Sequence, residues 1–267
     1  QVNKPVIVLT GRSTLNDEKQ TSIDKLKFLG AQIIYEQVDV TSEKVVIDLF
    51  NRLIKSFGVV NGILHTAGIN SDNFLNCKTV DEYKSVLQPK VQGVINIDLA
   101  TKDMQLDFFI LFSSIASVFG NLGQCDYASA NAFMDEYASY RQELVNRNQR
   151  TGKTVSINWP YWQDGGMSID EASLDMLYMN FGLKPIEKEM GVQALYDSIR
   201  SSVNQVLYLY GDENKIYKFF KNPQINNDNK SREEDLYLEL SKKIKNGELT
   251  LELFEELIVE QRVGQNE

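Results

Sequence analysis

A chain of 267 residues with 42% hydrophobic content is long enough to bury one substantial core. Its 28 Lys and Arg against 37 Asp and Glu give a formal net charge of -9, which argues against general nucleic-acid binding because that needs a basic footprint. Two distant cysteines, Cys77 and Cys125, and a single histidine, His65, leave no ordinary zinc site and only one imidazole for a Ser-His-Asp triad.

No apolar run reaches membrane-spanning length and no signal-peptide pattern opens the chain, so a cytoplasmic protein with reduced thiols and no membrane contact is expected. The chain starts on Gln1 rather than Met and enters almost directly on a strand, which reads as an excised or processed piece.

Val6 to Leu9 form a short β-branched run stopped by Thr10, Gly11 and Arg12. A polar helix follows, with Ile23, Leu26 and Leu29 on one side and Gly30 at its close. Gln32 to Val38 return as a strand ending at Asp39, and Val45, Val46, Leu49, Phe50, Leu53 and Ile54 recur at helical spacing. Val59 to Leu64 and Phe108 to Phe112 are the next strands. Between them runs a long helical segment with Tyr83, Val86, Leu87, Val91 and Val94, which Pro89 kinks or divides.

The helix around Tyr127 leads to a strand over Thr154 to Ile157, helical material from about Ile169 to Ile199, and a last strand over Val206 to Tyr210. This alternation predicts an α/β, doubly wound Rossmann-type, largely parallel sheet with helices on both faces. Residues 1–220 form the expected catalytic domain. Residues 221–230, rich in Asn, read as a linker, and residues 231–267 as two amphipathic helices, equally compatible with a docking element and a solvated tail.

The chemistry concentrates where Ser113 and Ser114 end an apolar run and Tyr127 and Asn131 follow. A phenol and an amide four residues apart share one face of a helix. A serine hydroxyl thirteen residues upstream can be delivered to that phenol from a strand end. The arrangement suits proton donation to a carbonyl that is receiving hydride. Taken singly, Tyr127 also reads as a half-buried aromatic.

Thr10-Gly11-Arg12-Ser13, Asp39-Val40-Thr41, His65-Thr66-Ala67-Gly68, Pro89-Lys90-Val91-Gln92-Gly93 and Phe112-Ser113-Ser114-Ile115-Ala116-Ser117 occur in order. Gly123-Gln124, the Tyr127 to Phe133 stretch and Asn158-Trp159-Pro160 continue the series. Over about Val6 to Phe220 the chain resembles the ketoreductase domain of a modular polyketide synthase, within the short-chain dehydrogenase/reductase superfamily. The resemblance implies that Tyr127 is the proton donor, Ser114 the hydroxyl that orients the carbonyl, and Lys90 and Asn131 the supporting pair. Most of the superfamily places the lysine four residues after the tyrosine. Here Asn131 stands there and Lys90 comes from an upstream helix, the exchange typical of synthase ketoreductases. Without the resemblance Lys90 reads as a solvated helix residue. An ammonium near the phenol is expected to lower its pKa from about 10.

For the cofactor the resemblance implies NADPH, with Arg12 forking onto the 2′-phosphate and Ser13 assisting. Asp39 and Val40 match residues flanking the adenine, and Ala67 and Gly68 the turn under the ribose. Asp39 also suits a helix cap and Gly68 a tight turn. His65 is expected to pack at a strand end. The substrate implied is an acyl thioester on the phosphopantetheine arm of an acyl carrier protein, among neighbouring synthase domains. Met167, Leu174 and Met179 line the expected substrate lid or simply pack.

Asn70, Ser71 and Asp72 match the family's Leu-Asp-Asp string only at the last aspartate, and Phe119 stands where the opposite stereochemical class has tryptophan. That leans towards the D-configured alcohol. The family's first strand and glycine-rich loop, expected before Val6, are missing, so the sheet should lack its central strand and the chain alone should fold poorly or bind NADPH weakly. Two other readings stay open: a free-standing reductase of an untethered ketone, and a non-catalytic structural half-domain.

Overall fold

The computed structural model describes residues 5–165 and 171–221. Within them the order is β1 (Val6–Gly11), α1 (Asp17–Phe28), β2 (Gln32–Gln37), α2 (Glu43–Phe57), β3 (Gly62–His65), α3 (Val80–Lys90), α4 (Gln92–Ala100) and β4 (Phe108–Ser114). Next come α5 (Ala116–Phe119), α6 (Cys125–Asn146), β5 (Lys153–Trp159), α7 (Glu171–Phe181), α8 (Lys188–Arg200), β6 (Gln205–Leu207) and α9 (Glu213–Lys221). All strand pairings between these elements are parallel, as the βα alternation requires.

The strands form two sheets, β1-β2 and β3-β4-β5-β6. Val6 pairs with Gln32 through to Gly11 with Gln37, and β4 pairs with β5 along its whole length from Phe108 to Ser114. Among the described residues β1 pairs only with β2, and β3 only with β4, so each keeps one edge of unpaired backbone groups. In a doubly wound sheet of order 3-2-1-4-5-6, strands 2 and 4 flank strand 1, and β1 and β3 have the places of that flanking pair.

Alternation along β4 shows why both faces are covered. Phe109 and Leu111 enter a core with Val46, Leu49, Phe50 and Leu53 of α2, Val94 of α4, and Phe133 and Met134 of α6. Ile110 enters the opposite core with Val155, Ile157, Trp159, Ile186 and Ala194. Burying such runs on both sides is what a parallel sheet demands.

Several boundaries differ from the sequence expectation. The long helix divides after Lys90, where Val91 has φ -91 and ψ -73, just beyond Pro89. Proline supplies no N–H to the helix ladder, so the break follows it closely. The expected helical stretch near residues 169–199 is two helices, separated around Gly182 (φ +73) and Pro185. The last strand is short, Gln205–Leu207, and α9 was not foreseen. Its start is held by Asp212 Oδ1, which accepts from the Asn214 and Lys215 amides. On α1 only Ile23 is buried, while Leu26 and Leu29 are exposed. The expected linker from residue 222, the C-terminal helices and Met167 lie outside the described residues.

Candidate active site

Three elements bring Ser114, Tyr127, Asn131 and Lys90 together. Ser114 ends β4, where the strand's seven pairings with β5 fix its height above the sheet. Tyr127 and Asn131 stand one turn apart in the first turns of α6, and Asn131 Nδ2 donates back to Tyr127 O at 2.7 Å. Lys90 is the last residue of α3, a helix started by a capping box in which Thr79 and Glu82 satisfy each other. The Ser114 and Asn131 side chains both hydrogen-bond the Tyr127 side chain, and Lys90 Nζ lies 5.7 Å from the centre of its ring.

Burial decides the electrostatics. Lys90 is only 3% exposed, not a solvated residue, and its Nζ donates to Phe112 O at 3.0 Å. Loss of water pulls the ammonium down to about 8, with the Asp135 carboxylate acting against that fall. The expected lowering of the Tyr127 phenol is not found. Its burial pushes the pKa above the ordinary value, the hydrogen bonds from Ser114 and Asn131 oppose the rise, and the Asp72 charge adds to it. Desolvation of the phenolate outweighs its partners. Asn131 is fully buried, and its Oδ1 has no hydrogen-bond partner among the described residues, which leaves an acceptor inside the site.

The segment before α6 is held by the 70s loop. The Asn73 amide donates to Gly123 O at 2.9 Å, with Gly123 at φ +77, and Gln124 Nε2 donates to Asp72 Oδ2 at 2.8 Å. Lys78 Nζ lies 2.7 Å from Asp126 Oδ2 with both side chains out of water. The Asp126 carboxylate also accepts from the Tyr127 amide at 2.9 Å.

On the other sheet an open cavity of roughly 700 Å³ is lined by Thr10, Gly11, Arg12, Ser13, Lys19 and Tyr35. Lys19 Nζ donates to Ser13 Oγ at 3.2 Å, and the Tyr35 hydroxyl donates to Ser13 O. Two cations and a hydroxyl on one open wall suit a phosphate, so these residues fit the 2′-phosphate end of a nicotinamide dinucleotide. Lys19 and Tyr35 carried no sequence signal, being one more charge on a polar helix and one more aromatic in a strand.

The other four expected cofactor residues lie off that cavity. Asp39 Oδ1 accepts from the amide and hydroxyl of Thr41, a local turn rather than a cap on α2, whose N-cap is Ser42. Val40 O accepts from Asn96 Nδ2, and its Cγ2 would lie 2.9 Å from a Cβ at Gly93. Ala67 and Gly68 follow β3. A Cβ on Gly68 would stand 2.7 Å from Lys90 Cε, so this glycine makes room for the buried lysine. His65 is buried against Pro89 O at 3.0 Å, as expected for packing, and burial lowers its pKa to about 3. Leu174 is half-buried and Met179 exposed.

A family model described as KR domain matches residues 3–164. The chain belongs to the KR domain family. It is 46% identical over 211 residues to "Polyketide synthase PksN" of Bacillus subtilis strain 168, covering 79% of this chain and 4% of that protein. To "Polyketide synthase PksL" of the same organism it is 44% identical over 219 residues, covering 82% of the chain and 5% of the relative. Among solved structures, a ketoreductase domain from the bacillaene assembly line matches with TM-score 0.79 and 39% identity, over 81% of this chain and 52% of that one. An N-terminal ketoreductase from the macrolactin assembly line matches with TM-score 0.73 and 36% identity, over 81% and 41%. The chain thus spans about a twentieth of the curated relatives' length and about half of these solved domains. Its Rossmann-like α/β architecture agrees with these ketoreductase structures, and the curated relatives it resembles are polyketide synthases.

Proposed function

We propose that this domain reduces a β-ketoacyl thioester to the β-hydroxyacyl thioester with NADPH, while the acyl group rides on the phosphopantetheine arm of an acyl carrier protein. The observation that carries the reading is the meeting of Tyr127, Ser114 and Asn131 by hydrogen bonds around one phenol, with a buried ammonium beside it. Arg12, Ser13 and Lys19 hold the phosphate end of NADPH, and Asp39, Val40, Ala67 and Gly68 stand towards its adenosine. The reduced nicotinamide, when bound, supplies the hydride that adds to the β-carbon.

The chain's own residues handle the oxygen. Ser114 and Tyr127 hydrogen-bond the carbonyl, so charge that develops there meets two oriented donors away from bulk water. Tyr127 then gives its proton to that oxygen. A phenol held above its ordinary pKa keeps its proton until the stronger base, the nascent alkoxide, takes it. Lys90 places a positive charge beside the phenolate left behind and favours its formation in the transition state. Asp72 accepts from Gln124 beside the Tyr127 helix, and its match to the family's aspartate string is what leans the reading towards the D-configured alcohol. Neighbouring synthase domains and a cytoplasmic setting complete the proposal, with residues 1–220 as the reductase unit and the remainder as linker and docking segment.

The decisive experiment uses the full-length polypeptide. Tyr127→Phe is expected to reduce NADPH-dependent turnover of a β-keto thioester by at least about a hundredfold and to leave NADPH affinity unchanged. Retained turnover overturns the assignment. Carrier-bound against small-thioester substrates separates the synthase role from a free-standing reductase. The divided sheet favours a structural half-domain as the second reading, and wild-type protein inert towards both substrates would support it.

A further inference from the structure

Behind the catalytic group lies a buried polar cluster that the proposed reaction leaves without a role. Asp135 stands eight residues after Tyr127 on α6 and is 4% exposed. Its Oδ1 accepts from Ser156 Oγ at 2.6 Å. Its Oδ2 accepts from Asn158 Nδ2 at 2.7 Å and lies 2.6 Å from Ser117 Oγ. The single Ser117 proton is shared between that carboxylate and Ser114 O, 2.8 Å away. Asn158 Nδ2 also lies 3.1 Å from Ser113 Oγ and 3.4 Å from Ser114 O. Ser113 Oγ in turn donates to Asn131 O at 3.2 Å.

Asp135 thus anchors groups that touch the backbone of Ser114 on one side and of Asn131 on the other. A carboxylate suits this place because it accepts only, and every neighbour offers a donor. We propose that Asp135 is a positioning residue for the reduction: through Ser117 and Asn158 it fixes the turn that carries Ser114. The inference rests on the reductase reading.

The Asp135 charge also acts on Lys90; burial raises the pKa of this carboxyl, and the hydrogen bonds from Ser117, Ser156, Asn158 and Ser113 oppose that rise. His65 at the end of β3 is held neutral by burial, Tyr127 on α6 keeps its proton, and the Phe112 carbonyl offers only a dipole. Burial pulls the ammonium down to about 8, and Asp135 is the group that resists. A network lost as a unit costs more than one hydrogen bond, since Ser114 shifts with its turn.

The test compares Asp135→Asn and Ser117→Ala with wild type in the full-length polypeptide, by kcat, KM, the pH profile of kcat and thermal melting. Asp135→Asn is expected to lower kcat about tenfold to a hundredfold with both KM values nearly unchanged. The alkaline fall in kcat should begin about one pH unit lower, because Lys90 then loses its proton earlier. Ser117→Ala keeps the charge, so kcat should fall while the alkaline limb stays in place. An unmoved limb in Asp135→Asn, with activity lost only in proportion to folded protein, overturns the inference. If Asp135→Asn does not fold, Ser117→Ala decides: wild-type kcat overturns the positioning role and lowered kcat at unchanged KM supports it. Wild-type protein that oxidises no NADPH with any β-keto thioester overturns the reaction itself, before either variant is compared.

Discussion

His65 and Lys90 are both buried bases, and both titrate below their ordinary values for the same reason: water is gone and the charged form suffers. For His65 the unfolded chain binds the extra proton between about pH 6.5 and about 3, while the folded chain does not. Its contribution to stability is therefore complete above pH 6.5 and falls as the pH drops through that window, by about 5 kcal/mol in the limit. Melting curves of wild type and His65→Gln should diverge at pH 7 and converge towards pH 4, and parallel acid slopes would count against this account. Lys90 behaves in the same sense at higher pH. Between about 8 and 10.5 the folded state holds fewer protons, so this group's contribution to stability rises with pH while the proposed reduction, which draws on its ammonium, should fall.

At the scale of elements, the α3–α6 contact sets how far the amine lies from the phenol. Tyr83 donates to Ser129 Oγ at 3.3 Å, and the Lys78–Asp126 pair lies just before Tyr127. Removing one partner of a fully buried ion pair leaves a bare charge and costs about 3–5 kcal/mol. Lys78→Met should destabilise by that amount in chemical unfolding, and adding Asp126→Asn should recover part of it. A single variant within about 1 kcal/mol of wild type would contradict the burial argument. The sequence made Tyr127 and Asn131 legible because one helical turn is a fixed distance. Ser114 was legible as the polar end of an apolar strand. Lys90 was not legible from spacing at all, since its approach depends on where the helix breaks after Pro89, and only the family pattern pointed to it. Asp135 and Lys78 looked like two more charges in a chain with 65 charged residues, because burial is a property of the fold and not of the string.

Over the whole molecule, the βα alternation makes the architecture readable, and among the described residues no pairing joins β1 to β3. Boundaries such as the α7–α8 interruption and the start of α9 were less readable, since they depend on single Gly182, Pro185 and Asp212 positions. The two unpaired edges carry an expectation for this chain by itself. Calorimetry should find weak NADPH binding, and amide exchange should be fast on β1 and β3 but slow on β4 and β5, where both neighbours are present. Supplying a strand in cis or in trans should tighten binding. Tight binding by the isolated chain would remove the basis for that view.

The gap has a further consequence. Ser114 ends a strand of the four-stranded sheet, with Tyr127 and Asn131 on α6 and Lys90 on α3, whereas Arg12 and Ser13 stand at the end of β1 in the two-stranded sheet and Lys19 lies on α1. Under the proposed roles, a change in the phosphate grip replaces none of the residues that meet at the Tyr127 phenol. One chain in this way holds two traits that inheritance can shuffle separately.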